Sequence, residues 1–257
     1  MRPLTGLWML AVLAAAPAGA TGYADLVTRA LAAPVVVHAT AIRSERLRPR
    51  DAAGIAPNTS RFLVTAATLA AIAAPGPVPP RLTYLIDLPD DATGKQARPP
   101  ARDVLLFLRP GTVSGDYALI DARAEVAWTA DDEAAVRAVL IDARGGKVPA
   151  VTGVASAFRV PGAVPGEAES QFFLTTGDGK PVSLVVLTRP GEARRLTLAL
   201  GDVIDDAAAE IRPRTLLWYR LACGLPATLP AAIEAAPDVA ADYAFIRTTL
   251  GPCGRTL

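Results

Sequence analysis

Apolar residues along the chain recur in short runs that predict β-strands. Residues 35–42 are rich in β-branched side chains, and residues 104–108 form a fully apolar run, which is typical of a buried strand. Further strand candidates are residues 61–68 and 81–88. A polar stretch at residues 43–58 separates the run at 35–42 from the candidate at 61–68. Four more runs are joined only by turns, which predicts antiparallel pairing. These four are residues 155–160, 169–175, 182–188 and 195–200.

A helical period, with apolar residues three and four positions apart, occurs near both ends and in the middle of the chain. Residues 23–33 and 237–250 each carry one apolar face. The clearest central helix covers residues 131–144, with Thr129 as its predicted N-cap, acidic residues in its first turn and two glycines after its end. A shorter helical segment covers residues 215–223.

The first twenty residues have the three-part pattern of a cleavable secretory signal peptide. Arg2 supplies the positive end, residues 4–16 form an apolar run, and small residues lead up to Ala20. The pattern predicts cleavage after Ala20 and a mature chain that starts near Thr21. A transmembrane anchor is the alternative, but the apolar run is shorter than the roughly 20 residues that cross a bilayer, and Pro17 follows it. We expect a periplasmic or secreted protein without a membrane span.

Charge and composition narrow the classes of partner. Loss of Arg2 with the signal peptide leaves 25 of the 26 basic residues against 25 acidic ones, so the mature chain is formally neutral. A nucleic-acid-binding surface needs an excess of basic residues, and so does attraction to anionic lipid. Aromatic residues make up only 5% of the chain, which disfavours stacking on bases. The sequence therefore predicts no nucleic-acid partner and leaves an envelope protein or a small-molecule ligand.

The chain has two cysteines, Cys223 and Cys253, and both lie near its C-terminus. In an oxidising compartment an isolated pair of this kind is typical of a structural disulfide. A redox-active pair is the alternative, but the Cys-x-x-Cys spacing that lowers a thiol pKa is absent. We therefore predict a Cys223–Cys253 bridge that anchors the C-terminus to the body of the protein.

The inventory of catalytic residues is short. His38 is the only histidine, and it lies in the apolar strand at residues 35–42, where a strand residue without a catalytic role is the simpler interpretation. The chain contains neither a Gly-x-Ser-x-Gly motif nor a phosphate-binding loop.

One histidine and a bridged cysteine pair do not supply the several nitrogen or sulfur ligands of a transition-metal site, so we predict no metal and no cofactor. The alternative function is a hydrolase that uses carboxylates, or a serine with His38 as its base.

Glu167, Glu169 and Gln171 alternate along the chain just before an apolar segment. Alternate residues of an extended strand point to the same face, so these three side chains share one side of the predicted strand. Two interpretations remain: a polar binding surface, or simply the solvent-facing side of a half-buried strand. The three residues are the candidate binding residues that the sequence offers.

Three segments of the mature chain carry a resemblance to known sequences. They are Gly-Glu-Ala-Glu-Ser-Gln-Phe-Phe-Leu at residues 166–174, Pro-Val-Ser-Leu at 181–184 and Thr-Leu-Leu-Trp-Tyr-Arg-Leu-Ala-Cys at 215–223. Together they resemble a group of uncharacterised exported proteins of Gram-negative alphaproteobacteria, over most of the mature chain. The resemblance implies a periplasmic or secreted bacterial setting, and it implies no activity, cofactor or site.

These features predict an α+β protein of mainly antiparallel strands, with a central helix and a short helical C-terminus anchored by the disulfide. The predicted regions are a signal peptide at 1–20, a β-rich region at 21–128, the central helix and its connection at 129–150, an antiparallel meander at 151–205 and a helical region at 206–257. Residues 21–257 are long enough for one domain or two. We expect a non-catalytic periplasmic binding or interaction protein. The hydrolase is the second interpretation and a structural envelope factor is the third.

Overall fold

The computed structural model describes residues 21–94, 98–200, 210–233 and 237–257. The predicted signal peptide lies outside the described residues. Within them the chain has the predicted α+β fold, with two mostly antiparallel sheets and four α-helices. The predicted disulfide near the C-terminus is present. No helix in these ranges combines the length and the apolar character needed to span a bilayer.

The first sheet is a Greek key whose two outer edges meet. It consists of β1 (Val35–Arg46), β2 (Thr59–Ala73), β3 (Arg81–Pro89), β4 (Arg102–Pro110), β5 (Tyr117–Leu119) and β6 (Glu125–Ala127). β1 lies between β2 and β4, β3 pairs with the far edge of β2, and both β5 and β6 pair with β4. The spatial order 3-2-1-4 is that of a Greek key. The Thr83 amide of β3 donates a hydrogen bond to the Gly115 carbonyl beside β5 at 2.9 Å, so the sheet curls into a partly open barrel.

The first hairpin is longer than its apolar pattern predicts. β1 continues to Arg46, so strand pairing takes in part of the polar stretch at 43–58. Side chains still alternate in this extension: Ser44 is buried, whereas Arg43 and Glu45 are exposed. The backbone hydrogen bonds of a hairpin do not require apolar side chains, so a prediction based on apolar residues ends the strand too early.

Residues 104–108 of β4 are fully buried, as their apolar run predicts. Leu106 packs inside the barrel, whereas Leu105 and Phe107 on the opposite face pack beneath two helices. These helices are α1 (Tyr23–Ala32) and α2 (Ala130–Gly145). Because both faces of β4 are covered, no position in this run is free for a polar side chain.

α2 has the caps that its sequence predicts. The Thr129 hydroxyl accepts a hydrogen bond from the Asp132 amide at 3.0 Å, which satisfies one of the free N–H groups of the first turn. Gly146 follows the helix with a left-handed backbone, at a φ of 64°, where glycine carries no steric cost. The first turn of α2 lies over β1, and this packing builds one of the sites described below.

The second sheet is an antiparallel meander covered by helices on one face. It consists of β7 (Val151–Pro161), β8 (Ala168–Thr176), β9 (Val182–Thr188) and β10 (Arg195–Leu200), in the spatial order 10-9-8-7. The covering helices are α3 (Leu216–Gly224) and α4 (Pro237–Leu250). Phe172, Leu184 and Leu198 of the sheet form one core with Leu221 and Ile246 of the helices.

The C-terminal tail connects the last two helices to α1. Cys223 in the last turn of α3 is bonded to Cys253, which lies in the tail after α4. Further along the tail, the Thr256 amide and hydroxyl donate to the Asp25 carboxylate of α1 at 2.8 and 2.5 Å. The bridge and these hydrogen bonds anchor the C-terminus to the body of the protein.

Candidate functional site

His38 lies in β1, on the side of the first sheet that faces α2. Strand alternation places its neighbour Val37 in the barrel interior and His38 on the outer face. There the imidazole meets two side chains, Glu133 in the first turn of α2 and Trp128 in the segment that leads into α2. The contact therefore depends on the packing of α2 against β1.

Glu133 is the centre of this cluster. The Trp128 indole N–H donates to Glu133 Oε2 at 2.6 Å, and Arg137 donates from Nε and Nη2 to Oε1 at 2.8 and 2.6 Å. His38 Nδ1 lies 3.1 Å from Oε2. The His38 ring also stacks on the Trp128 ring, with centroids 4.6 Å apart and an angle of 6° between the planes. These contacts fix the orientation of the imidazole.

The surroundings of Glu133 favour its ionised form. Burial by itself raises the pKa of this carboxyl, but the hydrogen bonds from Trp128 and Arg137 and the positive charges of Arg137 and His38 outweigh burial. The net pKa lies below its usual value. The ionised Glu133 carboxylate faces His38 Nδ1, and Nε2 lies on the opposite side of the ring.

A histidine oriented by a carboxylate also serves as the general base of Ser-His-Asp sites. Such a base must come within about 2.6–3.2 Å of the proton that it removes. His38 Nε2 is buried and has no hydrogen-bond partner among the described residues. The side chain is 12% exposed, and Trp128 covers one face of its ring. This geometry favours a structural role, in which His38 joins β1 to α2.

The three residues of the predicted polar surface occupy two different environments. Glu167 lies in the turn before β8, and Glu169 and Gln171 lie within β8, on the face away from the helices. Glu167 and Glu169 line one cavity of about 300 Å³. Gln171 lies further along the strand, where its side-chain amide donates to the Ser183 hydroxyl at 3.4 Å. The structure thus brings two of the three side chains together.

Thr188 and Arg189, at the end of β9, complete the polar wall of the Glu167–Glu169 cavity. Arg189 Nε lies 3.4 Å from Glu167 Oε1, which places a guanidinium beside one of the two carboxylates. The Glu169 side chain makes no ion pair or hydrogen bond with any residue that the structure describes. The Thr188 hydroxyl oxygen is buried and likewise has no hydrogen-bond partner in the described ranges. The Glu169 carboxylate in the cavity wall therefore remains available to a ligand.

A tight turn between β7 and β8 positions Glu167. The Gly162 amide donates to the Glu167 carbonyl at 2.8 Å, and the Glu167 amide donates to the Val164 carbonyl at 2.9 Å. The Glu167 side chain fills the space beside Gly162, where an added Cβ would lie 2.5 Å from Glu167 Cγ. Gly166 has a φ of 87°, which other residues rarely adopt. The backbone of the turn thus fixes the direction of this carboxylate.

A further charged cavity is one that sequence patterns miss. It gathers Asp25 and Arg29 of α1, Arg123 of the loop before β6 and Thr256 of the tail. The four-residue spacing of Asp25 and Arg29 places both on one face of a helix, and this is the only local signal of the site. Arg123 and Thr256 join them through the fold alone.

The described part of the chain contains no group of three or more His, Cys, Asp or Glu side chains placed to hold a metal ion. No model of a known protein family matches the chain, and no curated protein matches it either.

Proposed function

We propose that the chain is an exported, non-catalytic binding protein whose small-molecule ligand occupies the Glu167–Glu169 cavity. The observation that carries this proposal is the unpaired Glu169 carboxylate in the wall of a concave site, next to a Glu167 that the turn at residues 162–167 holds in place. A cavity of about 300 Å³ is at the lower end of the size range of small-molecule pockets.

The charges of the cavity favour a cationic ligand. Two carboxylates and one guanidinium line the wall, so its side chains sum to one negative charge. Arg189 lies beside Glu167, which leaves Glu169 as the carboxylate that pairs with the ligand. Val160 and Leu187, the cross-strand neighbours of Glu169, supply apolar surface that strengthens an ion pair by excluding water. The ligand class is therefore a small amine with a short apolar part.

Three features of different kinds support export. The first twenty residues have the pattern of a signal peptide. The Cys223–Cys253 bridge is a structural disulfide of the kind that persists in oxidising compartments. The resemblance to exported alphaproteobacterial proteins points to the same setting, the periplasm or the exterior of a Gram-negative bacterium.

The hydrolase alternative would use the His38–Glu133 pair. The oriented imidazole favours that function, since a positioned base is what acyl transfer requires. The buried Nε2 atom and the stacked Trp128 ring disfavour it, because a substrate must reach Nε2. Binding in the Glu167–Glu169 cavity needs no contribution from His38.

Isothermal titration calorimetry with small amines tests the proposal. The panel is putrescine, choline and lysine methyl ester, with succinate and glucose as anionic and neutral comparisons. We expect saturable binding of at least one amine, and Glu169→Gln should weaken it about tenfold or more, because a hydrogen bond to a charged group contributes about 1.5–3 kcal/mol. Glu192→Gln is the matched control, since it removes an exposed carboxylate from the turn between β9 and β10, outside the cavity.

The control variant should bind within about twofold of the unmodified protein. Equal weakening by both substitutions would indicate a diffuse effect of net charge and contradict the proposed site. Failure of every amine to bind would contradict the ligand class. Turnover of a bound compound that His38→Ala abolishes, without a change in Tm, would favour the hydrolase instead.

A further inference from the structure

The charged cavity missed by sequence patterns lies where α1, the loop before β6 and the C-terminal tail meet. Its volume is about 440 Å³. Thr21 and Gly22 line the cavity at the amino end of α1, and Arg29 lines it from within the helix. Arg123 of the loop and Thr256 of the tail line the other sides. It is separate from the cavity on the second sheet and shares no lining residue with it.

Arg29 is only 2% exposed, and its guanidinium is only partly paired. Its Nε donates to the two carboxylate oxygens of Asp121 at 3.3 and 3.0 Å. Its two Nη groups donate to none of the residues in the described ranges. Arg29 lines the cavity, so an oxyanion there can accept hydrogen bonds from Nη groups that no described residue engages.

Two further groups add positive potential to the cavity. Arg123 donates its backbone N–H to Asp121 at 2.7 Å, which fixes the loop, while its exposed guanidinium has no ion pair within the described part of the chain. Gly22 is the N-cap of the ten-residue helix α1 and offers no side chain to the N–H groups of the first turn. The amino end of a helix carries a partial positive charge that attracts anions.

Asp25 lies in the same wall, but its carboxylate is already engaged. Both of its oxygens accept hydrogen bonds from Thr256, at 2.8 Å from the amide and 2.5 Å from the hydroxyl. Burial by itself raises the pKa of Asp25, but these hydrogen bonds and the charge of Arg29 outweigh burial, and the net pKa lies below its usual value. Asp25 therefore holds the tail in place as one wall of the cavity.

We propose that this cavity binds a small organic anion, whose carboxylate or phosphate group lies between Arg29 and Arg123 at the amino end of α1. Guanidinium groups bind both kinds of oxyanion through paired N–H donors. One such headgroup fills only part of the cavity, so the remainder of the ligand is organic. This site is independent of the amine-binding site proposed above.

Calorimetric titrations of the disulfide-bonded protein with inorganic phosphate and with succinate, at constant ionic strength, test this inference. We expect saturable binding with a Kd below about 10 mM. Arg123→Gln should raise this Kd about tenfold or more, because it removes a charged donor from the headgroup. Arg81→Gln is the matched control: it removes an exposed guanidinium from β3 and should leave the Kd within about twofold.

A second variant, Arg29→Lys, keeps the positive charge beside Asp121 but loses the planar pair of donors, and it should also weaken binding. If that variant does not fold, Arg123→Gln alone decides the outcome. Binding of phosphate but not succinate supports a phosphate headgroup, and the reverse supports a carboxylate. The inference is overturned if neither anion binds in this range, or if Arg81→Gln and Arg123→Gln weaken binding equally. Amine binding should be unchanged in Arg123→Gln, which separates this site from the Glu167–Glu169 cavity.

Discussion

The two sheets of the protein differ in how their faces are covered. In the first sheet, residues 104–108 of β4 have no exposed surface, because the barrel interior covers one face and the helices cover the other. Within the described ranges, the second sheet is covered on one face only, by α3 and α4. On its other face Phe158, Val160 and Phe173 remain 38–49% exposed.

This difference indicates that the two sheets depend on apolar layers to different extents. The first sheet has apolar layers on both faces, and burial of apolar surface is the dominant favourable term in folding. The second sheet has one apolar layer, supplemented by a buried charge cluster and a covalent cross-link. The same open face leaves room for the Glu167–Glu169 cavity at its edge.

Asp242 is the centre of the buried charge cluster and connects α4 to the second sheet. Its side chain is almost completely buried. Ser170 of β8 donates its hydroxyl to Asp242 Oδ2 at 2.5 Å, and Arg159 of β7 donates to the same oxygen. Arg194 Nη1 lies 3.2 Å from Oδ1, although that oxygen lacks a hydrogen bond of good geometry in the described ranges. Removal of this carboxylate would leave Arg159, which is only 22% exposed, with the exposed Asp238 carboxylate at 3.8 Å as its remaining counter-charge.

Asp242→Ala is expected to have the largest effect, a loss of about 3–5 kcal/mol in the free energy of unfolding, because it breaks a buried ion pair from one side. Asp238→Ala is the matched control in the same helix. Asp238 is 80% exposed and lies 3.8 Å from Arg159, so its removal should cost less than about 0.5 kcal/mol. Urea denaturation measures both values. Equal losses would show that a change in α4 itself, not the buried pair, destabilises the protein.

Removal of the disulfide should have the next largest effect. Cys223 and Cys253 are 30 positions apart, and a loop of this length contributes about 3–4 kcal/mol in the chain-entropy model. The double variant Cys223→Ser/Cys253→Ser should lose about that amount in chemical denaturation. Native-state hydrogen exchange should quicken in α3, α4 and the tail while the amides of β4 keep their protection. Equal acceleration in β4 would mean that the two sheets open as one unit and would remove the distinction between them.

The elements that the sequence predicts well are those that local forces define. The Thr129 cap and the buried run at 104–108 leave clear signals, because capping and burial on both faces restrict which residues occur. The extension of β1 to Arg46 leaves none, since backbone pairing with β2 is a tertiary event. Local pattern therefore identifies the elements but not their full length.

The candidate sites show the same division. Glu167 and Glu169 are two residues apart, so alternation is enough to group them, but Arg189 reaches Glu167 only when β9 pairs with β8. His38 and Glu133 are far apart in the sequence and meet only when α2 packs on β1. Sequence patterns thus identify the two carboxylates of the Glu167–Glu169 cavity but not its arginine. Of the His38–Glu133 cluster they identify only His38.

The smallest of these effects on stability is expected at Glu133, where α2 meets the first sheet. Glu133→Gln should cost about 1–2 kcal/mol at pH 7, because an amide is a weaker acceptor than a carboxylate for the hydrogen bonds of Trp128 and Arg137. The matched control is Asp131→Asn, an exposed residue in the same helical turn, which should stay within about 0.5 kcal/mol of the unmodified protein.

The pH dependence of the Glu133→Gln effect separates charge from packing. The pKa of Glu133 in the folded protein lies below its usual value of 4.5, so the unfolded chain takes up the proton first as the pH falls. The stabilisation by ionised Glu133 is therefore complete above pH 4.5 and is lost as the pH falls through the folded-state pKa. Asp25 adds an acid dependence of its own, but it is present in both proteins and cancels in their difference.

Urea denaturation between pH 7 and pH 3 measures the gap in the free energy of unfolding between the unmodified protein and Glu133→Gln. We expect this gap to close as the pH falls. A gap that stays constant would mean that the charge of Glu133 does not help to hold α2 on the first sheet, which would make the contrast with the charge-linked second sheet sharper still.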